Sequence, residues 1–370
     1  MANDRTPFDD EEILPRETGA VETILAEHGV QWADDPIGTI RGVKHQGVQW
    51  LLKKVFDHQA MVERYGERDG AFGGSGDDGA RILSALAHDP RMGWRAMLLA
   101  ADTTVERIDA LAAALPHLSC VLNPVQHAVR ASHVTGQPVW LPPLLLVGPP
   151  GIGKSYLLNR LADALGVTHD ALFVPALVGA SPFTGTDQSW RKPRPGRPAM
   201  ALATATHAHV LFCLDEIDKA PSRDFQDISD QLHGVLEPEN AKALHDQCLD
   251  LPIAVDSYFW VATANRSDHL MPSLLDRFLV IETPAPNVQQ MRLIAENIYR
   301  ACAESWADWF GSVPDQAVLT AISELPPRRA RRLIALAMAK AASERRRQLT
   351  LADLRSVAPQ SLSRPKMGFL

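Results

Sequence analysis

The apolar run Leu144–Val147 leads directly into Gly148, Pro149, Pro150, Gly151, Ile152, Gly153, Lys154 and Ser155, and from there into YLLNRLADAL. Few folds accept an apolar strand, a turn of the form G-x-x-x-x-G-K-[ST] and an amphipathic helix in that order. The glycines let backbone N–H groups turn inward around a phosphate, and the N-terminus of the following helix adds its partial positive charge. Lys154 brings a point charge to the β and γ phosphates, and Ser155 offers a hydroxyl to Mg²⁺. Tyr156, the next residue, completes the candidate nucleotide-binding set.

Further short apolar runs occur at 171–174, 210–214, 258–262 and 278–281, separated by longer polar or helical stretches. Such a rhythm predicts an α/β fold with a parallel sheet buried under helices on both faces. Three blocks emerge: 1–120, 121–285 and 286–370. In the first, the spacing predicts a mainly helical region, with helices over 21–27, 48–65, 80–87 and 104–114. Between them, 66–79 holds six glycines in fourteen residues. No strand precedes that stretch and no Lys-Ser follows it, so it reads as a loop or hinge. The last block has no strand signal and predicts an α-helical domain, with helices over 288–310, 315–324, 328–347 and 351–356. Pro326 and Pro327 mark one helix start.

Composition narrows the function classes. Of the 370 residues, 46% are hydrophobic and 22% charged, enough to fill a core. No apolar run reaches membrane-spanning length, and the acidic N-terminus lacks the basic-then-apolar order of a signal peptide. With 37 basic against 44 acidic side chains the net charge is −7, which argues against a nucleic-acid coat protein. Cys120, Cys213, Cys248 and Cys302 are too far apart for metal spacing and read as reduced thiols of a cytoplasmic protein. The thirteen histidines form no metal-ligand pattern, so Mg²⁺ is the one metal expected.

Beyond the phosphate loop, HVLFCLDEIDKA places Asp215 and Glu216 at the end of a buried strand. Adjacent carboxylates there are costly unless they serve chemistry. At the C-terminal edge of a parallel sheet they would face the loop. Asp215 then holds Mg²⁺ through water, together with Ser155, and Glu216 orients and deprotonates the attacking water. Asp218 and Lys219 read as solvated or interface residues. A further strand ends at Asn265, whose amide is a candidate for the γ-phosphate.

Together these residues resemble the AAA+ ATPases, and most of all the ATPase module of Lon-type proteases. The likeness spans about 140–345. It rests on LHGVLEPENAKALHDQCLDLPIAVDSYFWVATAN and on MPSLLDRFLVIETP. The resemblance implies a P-loop AAA+ fold with a C-terminal α-helical lid. Lys154 and Ser155 match its Walker A motif, Asp215 and Glu216 its Walker B motif, and Asn265 its sensor 1. Arg277 matches the arginine finger that reaches a neighbouring subunit's nucleotide; an ion pair with Asp276 or a surface carboxylate is the plain alternative. Arg328 matches the sensor 2 arginine, with Arg329 as a close competitor. The peptidase domain of Lon has no counterpart in this sequence, and no GxSxG or HExxH appears, so no peptide cleavage is expected of it.

Where Lon-like proteins carry an aromatic, an aliphatic residue and a glycine in the pore loop, this sequence has Trp190 followed by Arg191, Lys192, Arg194 and Arg197. Trp190 suits a grip on a protein client, and the arginines suit an acidic client or a nucleic-acid backbone. A second basic group comprises Arg328, Arg329, Arg331, Arg332, Arg345, Arg346 and Arg347. The leading expectation is an ATP-hydrolysing homo-oligomeric ring, of six subunits as in the family, that remodels or translocates a protein client. A separate peptidase or effector chain receives the product. A nucleic-acid-associated ATPase acting as a motor or as a transposition or defence regulator is the alternative, as is an ATP-dependent switch or scaffold.

Overall fold

The computed structural model describes residues 14–68, 78–177, 181–187, 189–190, 193–220, 225–268, 270–307 and 309–357. Most of the glycine-rich stretch, 69–77, lies outside them, as do Arg191 and Lys192. The chain divides into two compact units. The first gathers Met1–Ala112, Cys120–Val147 and Ser155–Glu282; the second gathers Ala113–Ser119, Gly148–Lys154 and Thr283–Leu370.

The first unit opens with a helix, Leu14–His28, followed by an antiparallel sheet of β1 (Ile40–His45), β2 (Val48–Lys54) and β3 (Trp94–Ala96). The helix expected over 48–65 is therefore corrected: its first half is β2, and a helix begins only at His58. The reason is local turn chemistry. Gln46 and Gly47 both have positive φ (50° and 83°), and His45 pairs with Val48, which is a two-residue hairpin. Once that turn closes, β2 is committed to extended backbone, whatever helical spacing its side chains offer. Its two lysines are buried and satisfied: Lys53 Nζ meets Asp256 Oδ1 at 2.6 Å, and Lys54 Nζ donates to the Ala33 carbonyl at 2.6 Å.

The main sheet of this unit contains β4 (Leu144–Val147), β5 (Thr168–Phe173), β6 (Val210–Asp215), β9 (Phe259–Ala264) and β10 (Leu279–Glu282). These five are parallel, in the order β10-β4-β9-β6-β5. A small hairpin of β7 (Leu244–Asp246) and β8 (Leu251–Ile253) stands apart. β6 is buried up to Asp215 and β9 throughout, as expected of central strands covered on both faces.

The N-terminal sheet is joined to this core by main-chain bonds. Ala254 N donates to Val55 O at 2.7 Å and Ala208 N to Ala96 O at 2.8 Å. The Leu98 N–H is received by His209 Nδ1 at 3.1 Å. Burial pushes the His209 pKa down to about 3, so the ring is neutral and its nitrogen can accept.

The second unit carries the helices Val288–Glu304, Gln316–Ser323, Pro327–Ser343 and Leu351–Val357. Two starts are capped by side chains. Asn287 and Gln290 form a reciprocal capping box, and Asp315 accepts from Ala317 N at 2.8 Å. The expected 328–347 helix stops at Ser343, because Arg345 turns left-handed (φ 56°) and sends Arg346 back onto Asp353. Two guanidinium nitrogens of Arg346 reach the buried Asp353 carboxylate at 2.8 and 2.6 Å. Trp309 Nε1 donates to the Arg346 carbonyl at 3.0 Å. That pairing, with help from Thr350, holds the Asp353 carboxyl well below its ordinary 3.8.

A depressed carboxyl stabilises the fold fully above its unfolded pKa and loses that contribution as the pH drops through the folded value. Asp353→Asn therefore lowers the melting temperature at pH 7 by a few degrees. Circular-dichroism melts across pH 3–8 should show the gap to wild type constant above about pH 4 and narrowing below it.

Candidate nucleotide site

In the second unit, the loop 148–154 takes its shape from two glycines in particular. Gly148 packs so closely on Thr283 that a methyl group there would overlap the Thr283 hydroxyl and carbonyl. Gly153 lies at φ +101°, a conformation that side chains oppose. Within that curl Lys154 is buried, 8% exposed as a residue, and its ammonium donates to the carbonyls of Gly148 at 2.5 Å and Pro149 at 3.1 Å. The charge therefore sits inside the turn rather than in solvent. His117 packs beneath it. Its Nε2 lies 3.1 Å from the Ile152 carbonyl, and burial lowers its pKa, so the neutral ring donates through Nε2.

In the first unit, Asp215 ends β6, and two hydroxyls converge on one of its oxygens. Thr263 donates to Oδ1 at 2.5 Å and Ser155 at 3.2 Å. The Thr263 hydroxyl in turn accepts the Glu216 N–H at 3.0 Å. Glu216 is left-handed, φ 59° and ψ 48°, a state costing about 1–2 kcal/mol for an ordinary residue. Its Oε1 lies 2.9 Å from Lys219 Nζ. Asn265 follows β9, and its N–H is taken by Asp218 Oδ2 at 3.1 Å. Of the two residues expected to be solvated or at an interface, Asp218 is thus half-buried and bonded, whereas Lys219 is exposed. Ser155 and Asp215 form an oxygen-only donor pair of hydroxyl and carboxylate, which suits a hard cation that keeps most of its water, as Mg²⁺ does.

Residues 144–284 match the family described as "ATPase family associated with various cellular activities (AAA)". This segment is an AAA domain. Curated relatives agree over the same region. "Lon protease homolog 2, peroxisomal" of Caenorhabditis elegans is 32% identical over 154 residues, 42% of this chain and 20% of that protein. The same-named protein of Zea mays is 34% identical over 154 residues, 42% of this chain and 17% of its own length. "Lon protease" of Nitrosococcus oceani is 34% identical over 155 residues, again 42% of this chain and 20% of its own. The chain spans about a fifth of the length of these relatives. Among solved structures, the Thermotoga maritima RuvB Holliday junction branch migration motor is 17% identical, with a TM-score of 0.40. The match covers 70% of this chain and 68% of that one.

The AAA domain brings Ser155, Asp215, Glu216 and Asn265 together at the ends of β6 and β9. Arg277 lies between the short helix Pro272–Leu275 and β10. Its Nη1 donates to the Ser273 carbonyl at 2.8 Å, and its Nε lies 3.6 Å from Glu237, so the plain alternative of an ion pair finds a partner other than Asp276. Tyr156 is exposed in the first turn after the loop. Arg328 and Arg329 begin the helix Pro327–Ser343 in the second unit, Arg328 exposed and Arg329 half-buried.

Trp190 is 66% exposed, in a segment whose ends meet where Thr186 N donates to Arg194 O at 2.9 Å. The buried Asp246 carboxylate secures the loop's base. Its Oδ2 accepts from Gly196 N at 2.7 Å, while Oδ1 accepts from Cys248 N and Leu249 N at 2.9 Å. Arg197, grouped with the loop cations on sequence, is instead ion-paired with Asp170 on β5. The basic cluster at this loop is smaller by one.

Thr263, Asp218, Thr283, His117 and Asp246 were not legible as site residues. Thr263 alone left a signal, a hydroxyl within an otherwise apolar buried strand two positions before Asn265. The packing of Gly148 yields a test. Overpacking against a fixed carbonyl costs about 1–3 kcal/mol, so Gly148→Ala should weaken binding of a fluorescent ADP analogue roughly tenfold. Adding Thr283→Ala should not restore it, because the main-chain oxygen stays in place.

Proposed function

We propose that this chain is a Mg²⁺-dependent ATPase of the cytoplasm that works as a homo-oligomeric ring on a protein client. The observation that carries the reading is the hydrogen-bonded cluster of Ser155, Asp215, Thr263 and Glu216 inside an AAA domain. Lys154 takes the β and γ phosphates, and the backbone N–H groups of 148–155 cradle them. Ser155 and Asp215 would hold Mg²⁺, which would supply positive charge to the phosphate oxygens. Glu216 orients the attacking water and receives its proton, and Asn265 addresses the γ-phosphate.

Arg277 completes the site of a neighbouring subunit, where such an arginine contributes about 10³–10⁵ in rate. A head-to-tail contact of that kind closes into a ring, proposed here as six subunits. Arg328 reports nucleotide state to the helical second unit. Trp190 supplies an aromatic grip on the client, and its anchored loop base favours a mechanical role. Peptide cleavage, if coupled, is assigned to a separate chain.

The nucleic-acid reading draws on Arg328, Arg331 and Arg332, all exposed on one helix. It is weakened by the pairing of Arg197 with Asp170.

The test is ATPase rate against protein concentration, with mass measured in parallel by light scattering. Specific activity should rise with assembly. Glu216→Gln should bind ATP without turnover, and Arg277→Ala should lose roughly a thousandfold or more in rate. A monomer that binds ATP, with a negligible rate that neither variant changes, would sink the motor and favour the switch. Strongly salt-dependent binding of DNA or RNA would favour the alternative partner.

A further inference from the structure

β6 and β9 are neighbours in the main sheet, and the first residue beyond each is one of the pair expected to act on phosphate, Glu216 and Asn265. Their main-chain N–H groups are captured crosswise. Thr263, on β9, takes the N–H of Glu216 at 3.0 Å, and Asp218, just past β6, takes the N–H of Asn265 at 3.1 Å. Each strand end thus holds the other's functional residue by its backbone.

The direction of the first bond is determined. A hydroxyl has one proton, and Thr263 gives it to Asp215 Oδ1 at 2.5 Å, so a lone pair is left to face Glu216. The left-handed backbone of Glu216 needs such a restraint, because it would otherwise relax and swing the carboxylate away. Thr263 is 1% exposed, so water does not replace the hydroxyl there. Asp218 shows a related sign of purpose. Its second oxygen, Oδ1, is buried with no hydrogen-bond partner, a cost that packing alone does not explain.

We infer that Thr263 and Asp218 are positioning residues for hydrolysis. Their reciprocal bonds lock the backbones of Glu216 and Asn265 into one unit, which presents the water-activating carboxylate and the phosphate-contacting amide in fixed register. Thr263 also orients Asp215, and so links the cation site to the carboxylate that activates water. The inference rests on the ATPase reading above.

The experiment compares Thr263→Val and Thr263→Ser with Asp218→Ala and Asp218→Asn in the full chain. It combines steady-state ATPase kinetics, Mn²⁺ titration in the presence of ADP by electron paramagnetic resonance, and thermal melts. Valine keeps the shape of threonine and removes the hydroxyl, so kcat should fall roughly 10–100-fold while the KM for ATP moves by less than about twofold. Mn²⁺ affinity should weaken several-fold, because Asp215 loses its donor. Serine should restore both.

Asp218→Ala should lower kcat in the same way yet leave Mn²⁺ affinity unchanged, since Asp218 touches Asn265 and not Asp215. Asparagine keeps an acceptor oxygen and should recover most of the rate. The double variant Thr263→Val with Asp218→Ala should be little worse than the weaker single one, as expected of residues acting as a unit.

A kcat within about twofold of wild type in both Thr263→Val and Asp218→Ala overturns the inference. So does a loss of kcat matched by a rise in KM and a collapse of the melt. If wild type itself turns over no ATP, the ATPase reading fails, and the Mn²⁺ titration still decides for Thr263. Unchanged affinity in Thr263→Val then overturns its role.

Discussion

A carboxylate at the end of a buried strand has to be paid for by donors, and Asp215 is where this protein meets that requirement. The donors come from elements far apart in sequence, Ser155 after the phosphate loop and Thr263 on β9. Satisfying one charge thereby draws the strand ends of the first unit into a single network. Glu216, next in the chain, is carried into a left-handed conformation and held there by the same threonine. Burial of β6 and β9 supplies the low dielectric in which these few bonds count for more than they would in water.

The N-terminal region belongs to the same physical object. Its sheet is bonded to the core through Val55, Ala96 and Leu98, and through the buried Lys53 on Asp256. Val55 and Lys53 meet Ala254 and Asp256 just after β8, Ala96 and Leu98 meet Ala208 and His209 just before β6, and β8 pairs with β7, whose Asp246 fastens the segment that carries Trp190. An exposed tryptophan on an otherwise polar loop is a liability unless it is used, and a loop fastened at its base can transmit force from its tip. The N-terminal sheet and the segment carrying Trp190 thus share one continuous set of main-chain and side-chain bonds.

Much of the site was legible because its chemistry is local. The run 148–155 carries its own strand and helix on either side, and Asp215, Glu216 and Asn265 fall at strand ends that apolar spacing locates within a residue or two. Other features depended on distant partners and could not be read. Apolar spacing over 48–65 fits a helix, yet the Gln46-Gly47 turn makes its first half a strand. Arg197 looked like one more loop cation until Asp170 claimed it. Asp218 looked like a solvated or interface acid until the Asn265 backbone arrived beside it.

By itself the sequence determined the order of elements in the α/β core, the phosphate loop and the candidates for the chemistry. Each of these is encoded in contiguous residues whose spacing has one cheap solution. Only the tertiary structure decided which of those groups are restrained and by what. It decided that Thr263 serves two neighbours at once, that Asp218 is a tether, and that the N-terminal sheet is bonded to the core. Hydrogen bonds between strand ends join residues about fifty positions apart, and no local pattern records which donor will find which acceptor.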